Sequence, residues 1–297
     1  MTADSSGAAL RGQIVVDGLV ALLDLERIEE NIFRGLSPNV SLQRVFGGQV
    51  AGQALVAATR TVEQDRRVHS LHSYFIRPGD PAVPIVYTVE RVRDGRSFSV
   101  RRVSAVQHGQ VIFTLSASFQ LEQGGIDHQR EMPAVPAPET LPTMAQRLAG
   151  FDDLAEMMRR IPQAFDIRYV DDPPWIQRGS GPRENRPHRI WMKADGVLPD
   201  DPTLHLCVIT FASDLNLLDS VLIRHGMAAR LDPITMASLD HAMWFHRAVR
   251  ADEWFLYESS SPSASGGRGL ATGRFFARDG RLLVSVAQEG LIRLPNA

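Results

Sequence analysis

The sequence has little cysteine, little net charge and no long hydrophobic run, and each shortage excludes a class of protein. Its one cysteine, Cys207, cannot form an intrachain disulfide or a cysteine-based metal cluster. The formal net charge of −2 disfavours charge-driven binding to nucleic acid or to an anionic membrane surface. No apolar run approaches the roughly 20 residues of a membrane-spanning helix, and the N-terminus lacks a signal-peptide pattern. These features predict a soluble cytoplasmic protein with no nucleic-acid partner and no membrane span.

Apolar residues make up 44% of the 297 positions, which is enough for one large domain or two moderate ones. Residues 13–122 and 164–297 have the composition of folded cores. Residues 123–163 are rich in proline and polar residues, and the apolar spacing of 144–160 predicts one short amphipathic helix there. We predict an N-terminal unit at 13–122, a C-terminal unit at 164–297, and a proline-rich linker that packs on the surface without a core of its own.

The two predicted units resemble each other, and their similar segments follow in the same order. Each unit has a helical segment, then two strand segments, then a hairpin turn. The matching pairs are 45–58 with 211–222, 74–77 with 244–247, 85–87 with 255–257, and the turn at His108 and Gly109 with the turn at Asp279 and Gly280. Because hairpins join antiparallel strands, the repeat predicts an α+β fold in which an antiparallel sheet wraps around a long central helix, used twice.

A comparison of the two copies draws attention to two polar residues that belong to the second copy. On the last strand, the apolar face that includes Val286 continues to Gln288, where the first copy has Ala117. A carboxamide on such a face needs partners or costs about 1–3 kcal/mol. Near the start of the helical segment, Asp214 replaces Gln49 and would complement the positive end of the helix. Seen alone, Gln288 would more commonly be a strand-end glutamine bonded to a loop. Seen alone, Asp214 would more commonly be a plain N-cap.

Ser238, Asp240 and His241 stand close together and suggest a Ser-His-Asp hydrolase, an interpretation that we reject. Neighbouring side chains on a strand point to opposite faces, so these residues cannot hydrogen-bond in series. The chain also lacks a G-x-S-x-G nucleophile elbow. Ser238 is then either a strand-initiating serine or a single hydroxyl offered to a site that other residues build.

The remaining charged and imidazole side chains have more ordinary explanations. One arginine cluster predicts a solvated sheet edge, with contact to ligand phosphates as the alternative; it comprises Arg91, Arg93, Arg96, Arg101 and Arg102. Four histidines on predicted strands lack the carboxylate or cysteine neighbours of a metal site. We expect these to pack or to hydrogen-bond: His69, His72, His241 and His246.

Several longer motifs resemble the acyl-CoA thioesterase II (TesB-like) family, in order and with the family's spacing, over roughly residues 20–295. The motifs occupy 25–30, 46–54, 72–80, 93–98, 213–216, 239–247 and 288–290. Motifs of this length do not recur together in one order by chance.

The resemblance implies a double hot-dog fold, which agrees with the repeat, and hydrolysis of fatty acyl-CoA to free fatty acid and CoA without a metal or organic cofactor. The family's catalytic residues are an aspartate at a helix start, a threonine or serine at the head of a strand, and a glutamine in a Gln-Glu-Gly motif. They fall on Asp214, Ser238 and Gln288. Where some members have threonine, Ser238 keeps the hydroxyl but lacks the methyl group that restricts the rotamer.

Thioester hydrolysis needs a positioned water, a proton acceptor and donors that face the developing oxyanion. We expect Asp214, Ser238 and Gln288 to bind the attacking water, with Asp214 as the general base and no covalent acyl-enzyme. The helix start near Gly47 and Gly48 is the candidate substrate-binding donor, because glycine lets a ligand approach the backbone closely. The acyl chain would lie in an apolar slot between helix and sheet. Since the first copy lacks the carboxylate and the glutamine, we expect one working site per chain.

Two other functions stay open at this point. A hot-dog enoyl-CoA hydratase would carry an aspartate and a histidine in a Gly-Asp-x-Asn-Pro context, which Gly79, Asp80 and Pro81 do not continue. A non-catalytic acyl-CoA binding protein would not need polar groups on the apolar strand face. Hot-dog units usually pair their sheets, so we also expect a homodimer or a larger homo-oligomer.

Overall fold

The computed structural model describes residues 11–38, 43–181, 186–229 and 231–295. The first ten residues, on which the signal-peptide prediction rests, lie outside this part of the chain. Helix α1 (Gln13–Leu23) comes first. The first copy of the repeat then contains β1 (Glu26–Glu29), β2 (Ile32–Gly35), α2 (Gly47–Thr59), β3 (Arg66–Phe75), β4 (Ile85–Asp94), β5 (Phe98–Gln107) and β6 (Gln110–Leu121).

The connection and the second copy contain the remaining elements. The connection has a 3₁₀ helix (Pro138–Thr140), α3 (Met144–Arg147) and α4 (Asp152–Arg159). The second copy contains β7 (Phe165–Tyr169), α5 (Pro174–Gln177), β8 (His188–Ala194), α6 (Pro202–Ser213), α7 (Asp219–Arg224), β9 (Thr235–Ser238), β10 (Asp240–Phe245), β11 (Phe255–Ser265), β12 (Arg268–Ala277) and β13 (Leu282–Arg293). Among the described residues, no helix combines the length and the apolar composition that crossing a membrane requires.

The strands of the two copies join into one antiparallel sheet. Their order is β1-β2-β4-β5-β6-β3-β10-β13-β12-β11-β8-β7, with β9 beside β13. The copies meet where β3 pairs with β10, with Tyr74 opposite Asp240. Outward from this pair, the series β3-β6-β5-β4-β2 and β10-β13-β12-β11-β8 place matching strands in matching positions. The predicted repeat and its antiparallel strands are therefore confirmed.

The predicted hairpin turn of the first copy has the backbone that its residues favour. His108 and Gly109, between β5 and β6, both have positive φ, at 49° and 71°. Two consecutive positive φ values match a type I′ turn, whose twist suits antiparallel strands. In the second copy, Gly280 between β12 and β13 also has a positive φ, of 93°.

The central helices α2 and α6 pack against each other in opposite directions. A Cβ atom added to Gly48 would lie 2.4 Å from the carbonyl oxygen of Phe211, and one added to Gly52 would lie 3.3 Å from that of Cys207. One turn forward along α2 thus corresponds to one turn back along α6, so the start of α2 lies beside the end of α6. The two glycines let the helix backbones come this close. Every residue of α2 after Gly47 and before Thr59 is buried.

The helical segment predicted at 211–222 has the wrong limits. Helix α6 ends at Ser213 with Asp214 as its C-cap, and the short helix α7 begins only at Asp219. The true start signal lies upstream, where the side chain of Asp201 accepts a hydrogen bond from the Thr203 N–H at 2.8 Å and proline follows at the first helical position. By position in the fold, the counterpart of Asp214 is the α2 C-cap Arg60, and the predicted equivalence with Gln49 is wrong.

An insertion after α6 distinguishes the second copy. Residues 60–65 join α2 to β3, whereas residues 214–239 join α6 to β10. The longer connection contains α7 and the added strand β9, which pairs with β13 so that Ser238 stands opposite Gly290. Asp214 begins this longer connection, and Ser238 belongs to its added strand.

The connection between the copies differs from the prediction in its helices. The single helix expected at 144–160 is two short helices, separated where Gly150 takes a positive φ of 84°. The connection also packs against the sheet, at a small apolar cluster whose buried residues come from the strands. Met132, Val135 and Leu141 pack there against Trp191, Leu256 and Phe276. The domain limits taken from the sequence stay a prediction.

Candidate active site

Three polar side chains singled out in the sequence meet at one point. The side-chain nitrogen Nε2 of Gln288 donates to Asp214 Oδ1 at 2.6 Å and to Ser238 Oγ at 2.8 Å. Asp214 follows the end of α6, Ser238 ends β9 and Gln288 lies on β13. Gln288 is 0% exposed. A carboxylate can only accept hydrogen bonds, so the contact with Asp214 sets the orientation of the carboxamide.

Strand alternation places Gln288 inward, as the sequence pattern predicted. Val286, two residues earlier, is buried on the same face. On the neighbouring strand, the residue opposite Gln288 is Ala271, whose small side chain leaves space for the carboxamide. Two residues later, a Cβ on Gly290 would lie 2.6 Å from a methyl carbon of Leu218, so this position accepts no side chain without a shift of Leu218.

The carboxylate of Asp214 is set up to hold a proton more tightly than an ordinary aspartate. Burial among packed groups raises its pKa to about 6, against an ordinary value of 3.8. Hydrogen bonds from Gln288, from the backbone N–H of Gly48 and from Ser238 act in the opposite direction. Asp214 still keeps part of its surface exposed, so a small molecule such as water can reach it. A carboxylate with a pKa near 6 is a suitable general base close to neutral pH.

Asp214 lies at the start of a helix, but that helix belongs to the other copy. The N-cap residue of α2 is Phe46, which has no side-chain acceptor for the free N–H groups of the first turn. Asp214 takes this role through its contact with the N–H of Gly48. A Cβ on Gly47 would lie 2.6 Å from Asp214 Oδ2. The site is therefore built from both copies, with Gly47 and Gly48, the predicted substrate-binding glycines, beside Asp214; their role in binding substrate stays a prediction.

Aromatic side chains pack around the junction of the two helices. A Cβ on Gly47 would also lie 2.9 Å from the ring of Phe75, and that ring packs against Phe113 with centroids 5.0 Å apart. Phe46 and Phe211 form an edge-to-face pair with centroids 5.0 Å apart. These rings surround the junction with apolar surface, which is one reason that the charged form of the carboxylate is disfavoured.

The Ser-His-Asp arrangement that we rejected is not formed. Asp240 Oδ1 accepts from the backbone N–H of Glu289 at 2.7 Å, and His241 Nε2 lies 2.8 Å from Ser213 Oγ. His241 is buried and hydrogen-bonded, as expected of a histidine on these strands. Within the described ranges, no three His, Cys, Asp or Glu side chains converge in a way that could hold a metal ion.

The corresponding place in the first copy is filled by an arginine. Ala117 stands where the second copy has Gln288, and its neighbour across the strands is Arg101 instead of Ala271. Arg101 is 1% exposed and donates to Thr61 Oγ1 at 3.0 Å and to Asp94 Oδ1 at 2.7 Å. The predicted solvated sheet edge is therefore wrong for Arg101, because β4 and β5 lie inside the sheet with β2 and β6 beside them.

The sheet order and the two central helices define a double hot-dog protein. A solved structure described as a conserved protein with a hot dog fold, from Alicyclobacillus acidocaldarius, superimposes with a TM-score of 0.75 at 19% sequence identity. The match covers 92% of this chain and 97% of the other. The predicted fold class is confirmed.

Sequence comparison gives the family within this class. Residues 36–120 match the family model of the acyl-CoA thioesterase N-terminal domain, and residues 160–291 match that of acyl-CoA thioesterase. Acyl-coenzyme A thioesterase 8 of Mus musculus is 42% identical over 98% of this chain and 95% of its own. The crystal structure of acyl-CoA thioesterase II TesB2 from Mycobacterium marinum is 48% identical, with a TM-score of 0.77 over 92% of this chain and 97% of its own. The chain belongs to the acyl-CoA thioesterase II (TesB-like) family, as its motifs predicted.

Proposed function

We propose that the protein hydrolyses fatty acyl-CoA to free fatty acid and CoA by direct attack of a water molecule. The observation that carries this proposal is the contact of Gln288 with both Asp214 and Ser238 beside the start of α2. Family membership supports the same reaction, and the hydratase and binding-protein alternatives are not favoured.

In the proposed reaction, Asp214 takes a proton from the water as the water oxygen attacks the thioester carbonyl. Ser238 and Gln288 orient the water and hold the carboxylate in place. The carbonyl oxygen becomes an oxyanion facing the start of α2, where the positive end of the helix and the first-turn N–H groups stabilise it. The N–H of Gly48 acts on Asp214, which leaves the N–H of Gly47 as the proposed donor to the oxyanion. When the tetrahedral intermediate collapses, the C–S bond breaks and Asp214 returns the proton to the CoA thiolate.

The proposed base gives a defined pH dependence. Because Asp214 must be deprotonated, kcat/KM should fall tenfold per pH unit below the pKa of about 6 and reach a plateau above it. Steady-state rates with one acyl-CoA, measured from pH 4.5 to 8.5, test this. An inflection near pH 4 would show that the essential carboxylate is not the buried Asp214.

The hydroxyl of Ser238 is expected to matter more than its carbon skeleton. Ser238→Ala removes one partner of a charged group, so kcat should fall by about 10–100-fold, the equivalent of a charge-assisted hydrogen bond of roughly 1.5–3 kcal/mol. Ser238→Thr keeps the hydroxyl and should stay within a few-fold of the natural rate. Equal losses in both variants would indicate that packing, and not the hydroxyl, is what Ser238 supplies.

Release of free thiol from a series of acyl-CoA chain lengths, followed with a chromogenic thiol reagent, tests the activity itself. Thiol release supports hydrolysis, water addition across an enoyl double bond supports a hydratase, and neither supports a binding protein.

A single turnover with excess enzyme in ¹⁸O-water tests the route. Direct attack labels the fatty acid in the first turnover, whereas an anhydride on Asp214, hydrolysed at the aspartyl carbon, transfers unlabelled oxygen. Intact-mass analysis of the quenched protein would detect an acylated Ser238, which would contradict direct attack.

The finer features predicted from the sequence are also proposals. We propose a cytoplasmic protein that forms a homodimer or a larger homo-oligomer, and light scattering of the purified chain would report the number of copies.

A further inference from the structure

Two buried polar atoms lie directly behind the candidate site without another hydrogen-bond partner among the described residues. They are the carboxamide oxygen Oε1 of Gln288 and the ring nitrogen Nδ1 of His241. The strand pairing that sets Ala242 opposite Ala287 brings His241 beside Gln288, and the Gln288 carboxamide opposes the effect of burial on the pKa of the His241 ring. An unpaired buried oxygen costs about 1–3 kcal/mol, which favours a bond between these two atoms.

The protonation of the ring follows from its neighbours. Burial lowers the pKa of His241 to about 4, so the ring is neutral near pH 7 and carries one N–H. The nitrogen of Gln288 is already directed at Asp214 and Ser238, which leaves its oxygen toward the ring. The proton must therefore be on Nδ1, and Nε2 must accept.

The other side of the ring supplies a suitable donor. Ser213 Oγ lies 2.8 Å from His241 Nε2. The same hydroxyl lies 2.9 Å from the carbonyl oxygen of Thr210 and 3.4 Å from the sulfur of Met243, and it can donate to only one of these three acceptors. Donation to the ring is the arrangement that also satisfies Gln288. Ser213 is held in place because Tyr257 donates to its carbonyl oxygen at 2.9 Å.

We propose that His241 is a positioning residue for thioester hydrolysis, holding the Gln288 carboxamide in the orientation that donates to Asp214 and Ser238. The chain of donors runs from Ser213 to His241, then to Gln288, then to the carboxylate. Without the ring N–H, the carboxamide can turn over and place its oxygen against the oxygen of Asp214. This inference rests on the proposed function, because it assigns a role only through Gln288.

A matched pair of variants tests the proposal. Asparagine and leucine are similar in size, but only asparagine offers an N–H near the position of Nδ1. His241→Leu should lower kcat by about 10–100-fold with KM within about threefold of the natural value, whereas His241→Asn should keep kcat within about threefold. The bond from Gln288 lowers the pKa of Asp214, so the leucine variant should also shift the inflection of the kcat/KM profile above pH 6. Arg44, which also acts on Asp214, is unchanged in both variants.

Equal losses in the two variants, or a loss confined to KM, would overturn the positioning role, and so would an unshifted inflection in the leucine variant. If the leucine variant does not fold, the ¹⁵N chemical shifts of labelled histidine in the natural enzyme decide instead. A protonated Nδ1, assigned by its disappearance in His241→Asn, supports the proposal, and a protonated Nε2 overturns it. Absence of thiol release by the natural enzyme would instead be a failure of the proposed function.

Discussion

Asp214→Asn should lower kcat by about 10²–10⁴-fold, the usual contribution of a positioned general base. The asparagine side chain has nearly the same shape as aspartate and its oxygen can still accept hydrogen bonds from Gln288 and Ser238. It cannot take the proton of the attacking water. KM for acyl-CoA should stay within a few-fold, because the acyl and CoA contacts are not changed. Steady-state rates at pH 8 make the comparison. Turnover close to the natural value would show that Asp214 is not the base.

The same variant should be more stable than the natural protein above pH 6. The pKa of Asp214 is raised from 3.8 to about 6, so the folded state binds the proton more tightly than the unfolded state does. The free energy of unfolding of the natural protein therefore falls as the pH rises from about 4 to 6, and it stays lower above pH 6. Asparagine does not titrate, so the variant does not lose this stability. A shift of this size corresponds to roughly 2–3 kcal/mol, or several degrees in Tm. The gain should disappear below pH 4, which separates it from an effect of packing.

Gly48→Ala should both destabilise the fold and reduce the rate. The added methyl would lie 2.4 Å from the backbone oxygen of Phe211, and a backbone atom cannot move aside without its helix. Overpacking of this kind forces the two helices apart and lowers the free energy of unfolding by about 1–3 kcal/mol. It also moves the start of α2 away from Asp214, so kcat should fall by about tenfold or more for roughly 1.4 kcal/mol of lost transition-state stabilisation.

Gly18→Ala is the matched control for this change. Gly18 lies in the exposed face of α1, where an added Cβ meets nothing within 4 Å. Alanine is the better helix former by about 0.5–1 kcal/mol, so this variant should be slightly more stable and fully active. Thermal unfolding and kcat of both variants provide the test. Gly48→Ala with natural stability and rate would mean that the two helices are not held at the distance described.

The strands and turns of this protein could be predicted from the sequence because their signals are local. Alternation on the last strand placed Gln288 inward, and the residues His108 and Gly109 specified their own turn. The predicted limits of the second central helix were wrong because they too relied on a local signal. Ser213 and Asp214 resemble a helix start, yet they end a helix that begins at Asp201. Only the packing of α6 as a whole decides between these two interpretations.

The three polar side chains of the candidate site and the helix start near Gly47 and Gly48 could be predicted from the sequence, but the contacts between them could not. Comparison of the copies and the motifs found Asp214, Ser238 and Gln288. The contact between Asp214 and the start of α2 joins residues far apart in the chain, and it depends on the antiparallel packing of two helices. The bond of His241 to Ser213 likewise depends on where a helix end meets a strand. No pattern within either segment carries this information.

The buried arginine of the first copy has a consequence for any attempt to build a second centre there. A second centre at that position would need a carboxylate in place of Arg60, a carboxamide in place of Ala117 and a small residue in place of Arg101. Ala117→Gln alone would force a larger side chain against Arg101, and Arg101→Ala alone would leave an empty space in the interior. A second centre would therefore need coordinated changes at several positions, together with a counterpart of the β9 segment that carries Ser238.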